Sequence, residues 1–285
     1  MFNYILYRIG QFIALSVPLK IGYKIAAFFS DLHYIFADKD RKAVRGNLKV
    51  IFPEKSEREI RRISIRMFRN FAKYLVDFFR FTKIDKEYVR NSVRLENLHY
   101  LDEALAKGRG VIALSAHLGN WELGGAVVGI LGYPLWVVVL PHKNKKVNNF
   151  FNAHRKSKGI GVIPLGMAVR KCFELFKRNE MVALVGDRDF NERGPVLDFF
   201  GKASYFPEGP AAFALKTGAI ISPVFVLRNQ DDSFTLKFEK PIEVIPGVNK
   251  EIVLLEIISS YKTIFENYIR AYPDQWYIFR RFWIE

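Results

Sequence analysis

An imidazole and a carboxylate stand five positions apart in the run Ser115-Ala116-His117-Leu118-Gly119-Asn120-Trp121-Glu122. A carboxylate bonded to one ring nitrogen fixes the histidine tautomer. It also steadies the cation that forms when the other nitrogen takes a proton. Such a pair is a general base able to activate an alcohol. On one continuous helix, five residues turn through roughly 500°, so the two side chains would diverge by about 140°. They meet only if His117 sits in a loop and Glu122 in the first helical turn. Gly119 permits the tight turn and Asn120 is a good N-cap. The plainer alternative is a loop histidine beside an unrelated helix-start glutamate.

Two further runs carry chemistry. In Gly186-Asp187-Arg188-Asp189, the guanidinium of Arg188 suits a bidentate grip on phosphate. Asp187 and Asp189 would bind a cation or hold Arg188 in place, and a structural ion-pair cluster is the alternative. In Tyr205-Phe206-Pro207-Glu208-Gly209-Pro210 a helix begins. Its unpaired N–H groups and positive dipole end suit an oxyanion or a phosphate, with ordinary capping as the alternative. His33, His99, His142 and His154 lack metal-ligand spacing, so no metal is expected. The single cysteine, Cys172, falls in an i, i+3, i+4, i+7 apolar stripe with Val169, Phe173 and Phe176, which reads as helix core. No Gly-x-Ser-x-Gly elbow and no P-loop occurs.

These runs need elements to position them. Strands are expected at 110–115, 135–140, 161–164, 181–185 and 220–227, with 234–238 as an edge strand. Helices are expected from about 120, through His154, around Cys172, over 208–217 and over 250–271. Strands alternating with helices imply an α/β fold: a central, largely parallel or mixed sheet flanked by helices. In such sheets ligands bind beyond the carboxyl ends of strands, where His117 and Asp187 both fall. Residues 1–94 read as a helical, membrane-associating region, and 95–285 as the α/β domain, packed as one compact unit. Pro53 and the capping box Ser56-x-x-Glu59 open one clear helix of that first region.

Half of the 285 residues are apolar, enough to bury a sizeable core. The formal net charge of +15 draws the chain to polyanions, and an aromatic content of 15% beside the Lys and Arg favours a lipid surface over nucleic acid. Phe2, Tyr4, Phe12, Phe28, Phe29, Tyr34 and Phe36, mixed with Arg8, Lys20 and Lys24, suit a segment lying in the interface. Between Arg8 and Lys20 the uncharged run is too short to span a bilayer. A non-catalytic basic protein bound to membrane or nucleic acid is the competing class.

At these motifs the chain resembles the lipid A biosynthesis acyltransferases, within the wider group of glycerolipid acyltransferases marked by His-x4-Asp/Glu. His117-Leu-Gly-Asn-Trp-Glu122-Leu-Gly-Gly is close to the family's first block and Gly186-Asp-Arg-Asp189 sits at its second. Phe206-Pro-Glu-Gly-Pro-Ala-Ala resembles the third block and Ile221-Ser-Pro-Val224 the fourth. Tyr272-Pro-Asp-Gln-Trp-Tyr277 with Arg280-Arg-Phe-Trp283 resembles the closing segment. The resemblance implies acyl transfer from a thioester of acyl carrier protein, or of coenzyme A, to a hydroxyl of a membrane glycolipid. A lipid A precursor is the first choice of acceptor, and a lysophospholipid or mannolipid the alternative. It implies His117 as base and Glu122 as its orienting partner. Arg188, Glu208, Gly209 and Asn120 would serve substrate binding, with Asp187 and Asp189 in support. No cofactor and no nucleic acid is expected, and the cytoplasmic face of the cytoplasmic membrane is the expected location. Gly209-Pro210 stands where the glycerol-phosphate branch has Gly-Thr, which puts a threonine contact to phosphate in doubt. Lys143, Lys145, Lys146, Arg155, Lys156 and Lys158 offer a basic face for the acidic carrier protein, or for phospholipid.

Overall fold

A computed structural model describes residues 2–189, 191–244 and 249–284. The amino-terminal helices are α1 (Phe2–Ser16), α2 (Leu19–Phe36), α3 (Asp38–Ile51), α4 (Glu57–Phe79) and α5 (Lys86–Ser92). Then follow β1 (Val93–Glu96), α6 (His99–Ala106), β2 (Val111–Ser115), α7 (Trp121–Ile130), β3 (Leu135–Val139), α8 (Lys145–Lys156), β4 (Gly161–Pro164), α9 (Ala168–Lys177) and β5 (Met181–Val185). The chain continues with β6 (Val196–Phe199), β7 (Lys202–Tyr205), α10 (Gly209–Thr217), β8 (Ile220–Arg228), β9 (Phe234–Phe238) and α11 (Lys250–Ala271).

Seven strands form one sheet in the order β1-β9-β8-β2-β5-β3-β4, parallel except for the antiparallel pair β8/β9. The central strand β2 is buried along its whole length. Its side chains alternate between the two faces, as strand geometry requires. Ile112 and Leu114 enter one core with α9, α10 and α11. Val111 and Ala113 enter the other with α6, α7 and α8. The amino-terminal helices feed both cores: Ile60, Ile63 and Met67 of α4 join the first, and Ala14, Tyr23 and Phe78 join the second.

Three strand expectations change. Residues 234–238 form a strand, but β9 is not the edge, because β1 pairs with it in parallel on its far side. β1 carries Arg94 and Glu96 on a four-residue strand, too short and too charged to announce itself. It also straddles the expected 94/95 boundary. The antiparallel hairpin β6/β7 was not foreseen either; its strands are four residues each.

The capping box forms as expected: the Ser56 hydroxyl accepts the Glu59 N–H while the Glu59 carboxylate takes the Ser56 N–H. Arg58, Arg61, Arg62, Arg66 and Arg69 line the exposed side of α4. On α1 and α2, Phe12, Phe28, Phe29 and Phe36 are exposed, together with Ile5, Leu6, Ile9, Ile21, Leu32 and Ile35. Tyr34 is a correction to the interfacial set: it is buried and packs edge-on against Phe68. Among the described residues, no helix is long and apolar enough to cross a membrane.

Candidate active site

The two central strands set the site. β2 and β5 pair in parallel with Ser115 opposite Val185, and the Gly186 N–H donates to the Ser115 carbonyl at 2.8 Å. Two residues past each strand end, His117 and Asp187 therefore come side by side. His117 Nδ1 lies 2.7 Å from Asp187 Oδ1, and the His117 N–H donates to Oδ2 at 3.1 Å. Trp276 Nε1–H donates to the same Oδ2 at 2.9 Å. Asp187 is fully buried, whereas the His117 side chain keeps 23% of its exposure. The imidazole therefore stays partly open to solvent while the carboxylate it bonds is shut away from water.

Burial alone would push the Asp187 carboxyl up. The charge and ring N–H of His117, the Trp276 indole and the His117 backbone N–H outweigh it and hold the group below the usual carboxylate range. An ionised Asp187 keeps the proton on Nδ1, which makes Nε2 the basic nitrogen of the neutral ring. Trp121 sits edge-on to the imidazole, with ring centroids 5.6 Å apart.

Glu122 is placed differently from the expected pairing. It opens α7, but its carboxylate faces α8, where Arg155 Nε donates to it at 3.0 Å and the Arg155 η-nitrogen closes a second bond. Both side chains are about nine-tenths buried. The carboxylate bonded to His117 is thus Asp187, which adjoins it through strand register rather than through chain proximity. Arg155 is lost from the basic docking face for the same reason. Lys158 is half-buried and donates to the Ile84 carbonyl, while Lys143, Lys145, Lys146 and Lys156 remain exposed.

Asn120 is also reassigned. Its Oδ1 accepts the Leu123 N–H at 3.0 Å as the α7 cap, and its Nδ2 donates to buried Asp77 at 2.8 Å. With the residue 3% exposed, no part of it is left to hold a substrate. Asp77 also accepts from Tyr23 and Arg228, so one buried carboxylate ties α2, α4, β8 and the start of α7 together. Gly119 has φ +68°, and a Cβ there would meet the Val226 carbonyl at 1.9 Å, so this turn admits glycine only. The N–H groups of His117, Gly119 and Asn120 are all donated, to Asp187, Gln275 and Val226. An oxyanion must draw its donors from elsewhere.

Asp189 accepts N–H bonds from Asn191, Arg193 and Gly194, and so shapes its own loop. Arg188 is half-buried; burial first, then the nearby Arg280 charge, lowers its pKa from the ordinary arginine value. Glu208 and Gly209 are exposed at the start of α10, and the geometry links neither to the His117–Asp187 pair. Among the described residues, no group of three or more His, Cys, Asp or Glu converges as a metal site.

The profile of the bacterial lipid A biosynthesis acyltransferases matches residues 1–285. The chain belongs to this family. Among acyltransferases of known activity, it is 27% identical over 219 residues to the phosphatidylinositol mannoside acyltransferase of Mycolicibacterium smegmatis. That match covers 75% of this chain and 70% of the relative. It is 25% identical to the lipid A biosynthesis palmitoleoyltransferase of Escherichia coli, over 87% of this chain and 80% of the relative. It is 22% identical to a lipid A biosynthesis acyltransferase of Haemophilus influenzae, over 84% and 74%. As a member of this acyltransferase family the chain is an enzyme of acyl transfer. Neither Trp276 nor Arg155 announced its role in the sequence, although Trp276 lies in the closing motif.

Proposed function

We propose that this acyltransferase moves a fatty acyl group from a thioester to a hydroxyl of a membrane glycolipid, with His117 as general base and Asp187 as its orienting partner. The 2.7 Å contact between His117 Nδ1 and Asp187 carries the reading. The acceptor hydroxyl hydrogen-bonds Nε2 and loses its proton to it as its oxygen attacks the thioester carbonyl. A tetrahedral oxyanion forms and then collapses. The C–S bond breaks, and the departing thiolate takes the proton from the imidazolium. No acyl-enzyme is required.

Arg188 serves the acceptor or a donor phosphate. The apolar face of α1 and α2, set beside basic α4, lies on an anionic lipid surface, at the cytoplasmic face of the cytoplasmic membrane. Acyl carrier protein, or coenzyme A, delivers the thioester. The whole-chain family match favours a lipid A precursor as acceptor. The similarity to the mycobacterial relative favours a second reading, a mannosylated phosphatidylinositol. A donor-by-acceptor panel with mass readout tests this, using thioesters of acyl carrier protein and coenzyme A against lipid A precursors, phosphatidylinositol mannosides and lysophospholipids. Acylated glycolipid is the expected product. Transfer to lysophospholipid alone, or to nothing, would overturn the reading.

A further inference from the structure

The segment Gln275–Tyr277, just after α11, grips the loop that carries His117. The Gly119 N–H donates to the Gln275 carbonyl at 2.8 Å, and the Tyr277 N–H donates to the His117 carbonyl at 2.8 Å. Leu118 and Trp276 face each other between these bonds as an antiparallel bridge. The strap is itself fixed to β8. Gln275 Oε1 accepts the Arg228 N–H, and its Nε2 donates to the Arg228 carbonyl, both at 2.9 Å. From the middle of the strap the Trp276 side chain, 1% exposed, passes beneath the loop to Asp187. Phe282 packs against its ring at 5.0 Å, with Phe199 and Trp283 at 6.3 Å.

The two oxygens of Asp187 are therefore divided. One faces the imidazole, and the other is held by two N–H donors, one from the backbone of His117 and one from the indole. Two donors on Oδ2 leave Oδ1 aimed at the ring and prevent the carboxylate from rotating. They also draw charge away from the oxygen that the imidazole uses. Packing alone does not require the indole donor: a bicyclic ring of the same volume without an N–H would fill the same space.

We propose that Trp276 is a positioning residue for acyl transfer, its indole N–H fixing the Asp187 carboxylate against His117 and moderating the charge that the imidazole feels. This rests on the general-base reading of His117. Removing the indole donor leaves Asp187 with more charge to offer the imidazolium, so the protonated pair is favoured and the acidic limb of the rate profile moves to higher pH. The carboxylate also gains freedom, which slows the chemical step and leaves substrate binding alone.

The test uses the full chain in detergent micelles, with a saturated acyl thioester of acyl carrier protein and a lipid A precursor as acceptor. Trp276→Phe is compared with a variant carrying benzothienylalanine at 276, which keeps the ring volume and lacks the N–H. Steady-state kinetics are recorded across the pH range beside the melting temperature, with His117→Gln as reference. Both variants should lose roughly ten-fold in kcat with KM little changed, and shift the acidic limb upward by on the order of one pH unit. If Trp276→Phe does not fold, the isosteric variant carries the test alone. A benzothienylalanine variant with the wild-type kcat and an unmoved limb would overturn the proposal, whatever its melting temperature. In that case an inactive His117→Gln would leave the general-base reading standing. A fully active His117→Gln would remove both.

Discussion

At the scale of single residues, the site is a question of which oxygen faces which nitrogen. Asp187 Oδ1 lies 2.7 Å from His117 Nδ1, and an ionised carboxylate there favours the tautomer with its proton on that nitrogen. An amide in its place can present its NH2 to that nitrogen and favour the other tautomer. Asp187→Asn should therefore lose about 10²- to 10⁴-fold in kcat while KM changes little, as steady-state assays would read. Asp187 also leaves a mark on acid stability. Its pKa is lowered in the folded protein from an ordinary value of 3.8. The stability it contributes is fully present above that value and is lost as pH falls through the lowered one. Asp187→Asn should flatten this part of the acid unfolding curve, measured by circular dichroism; an unchanged slope would show that the carboxylate is not held ionised. His117 was legible from its type and its place after a strand. Its partner was not, because local spacing offered Glu122. The true neighbour depends on the Ser115/Val185 register between strands 70 residues apart in sequence.

Between elements, the Glu122–Arg155 pair stitches α7 to α8 behind the His117 loop. Both groups are nearly dry, so removing one leaves an unpaired buried charge. Glu122→Ala should cost about 3–5 kcal/mol in urea unfolding, and removing both charges with Glu122→Met/Arg155→Met should restore most of it. Equal losses in the single and double variants would mean that the pair is not coupled. The long elements were readable because their periodicity is strong. Helix 250–271 has its expected limits, and strand 181–185 likewise. The misses share one cause. β1, β6 and β7 are four residues each and carry charges or exposed positions, so they depend on partners brought from elsewhere. The Gln275–Tyr277 strap has no periodicity at all; its order comes from backbone bonds to the His117 loop and to β8.

For the whole molecule, charge and apolar exposure point the same way. The formal charge is +15, and α1 with α2 turns Phe12, Phe28, Phe29 and Phe36 outward. Phe28→Ser/Phe29→Ser should weaken binding to vesicles rich in anionic phospholipid several-fold, as sedimentation would measure, and leave the melting temperature nearly unchanged because both rings face solvent. Unchanged binding would exclude this face. Deleting residues 1–36 would be a poorer test, since Tyr23 bonds buried Asp77 and its loss opens the second core. The composition marked an aromatic amino-terminal segment but not which of its rings are exposed, as buried Tyr34 shows.

Proton removal by His117 underlies the proposed mechanism, and single-turnover acyl transfer in His117→Gln isolates that step. With enzyme in excess over the acyl thioester and the glycolipid acceptor saturating, binding and product release drop out of the rate. A fall of about 10²- to 10⁴-fold with an unchanged melting temperature is the predicted result. A single-turnover rate equal to that of the wild type would show that His117 does not remove the proton.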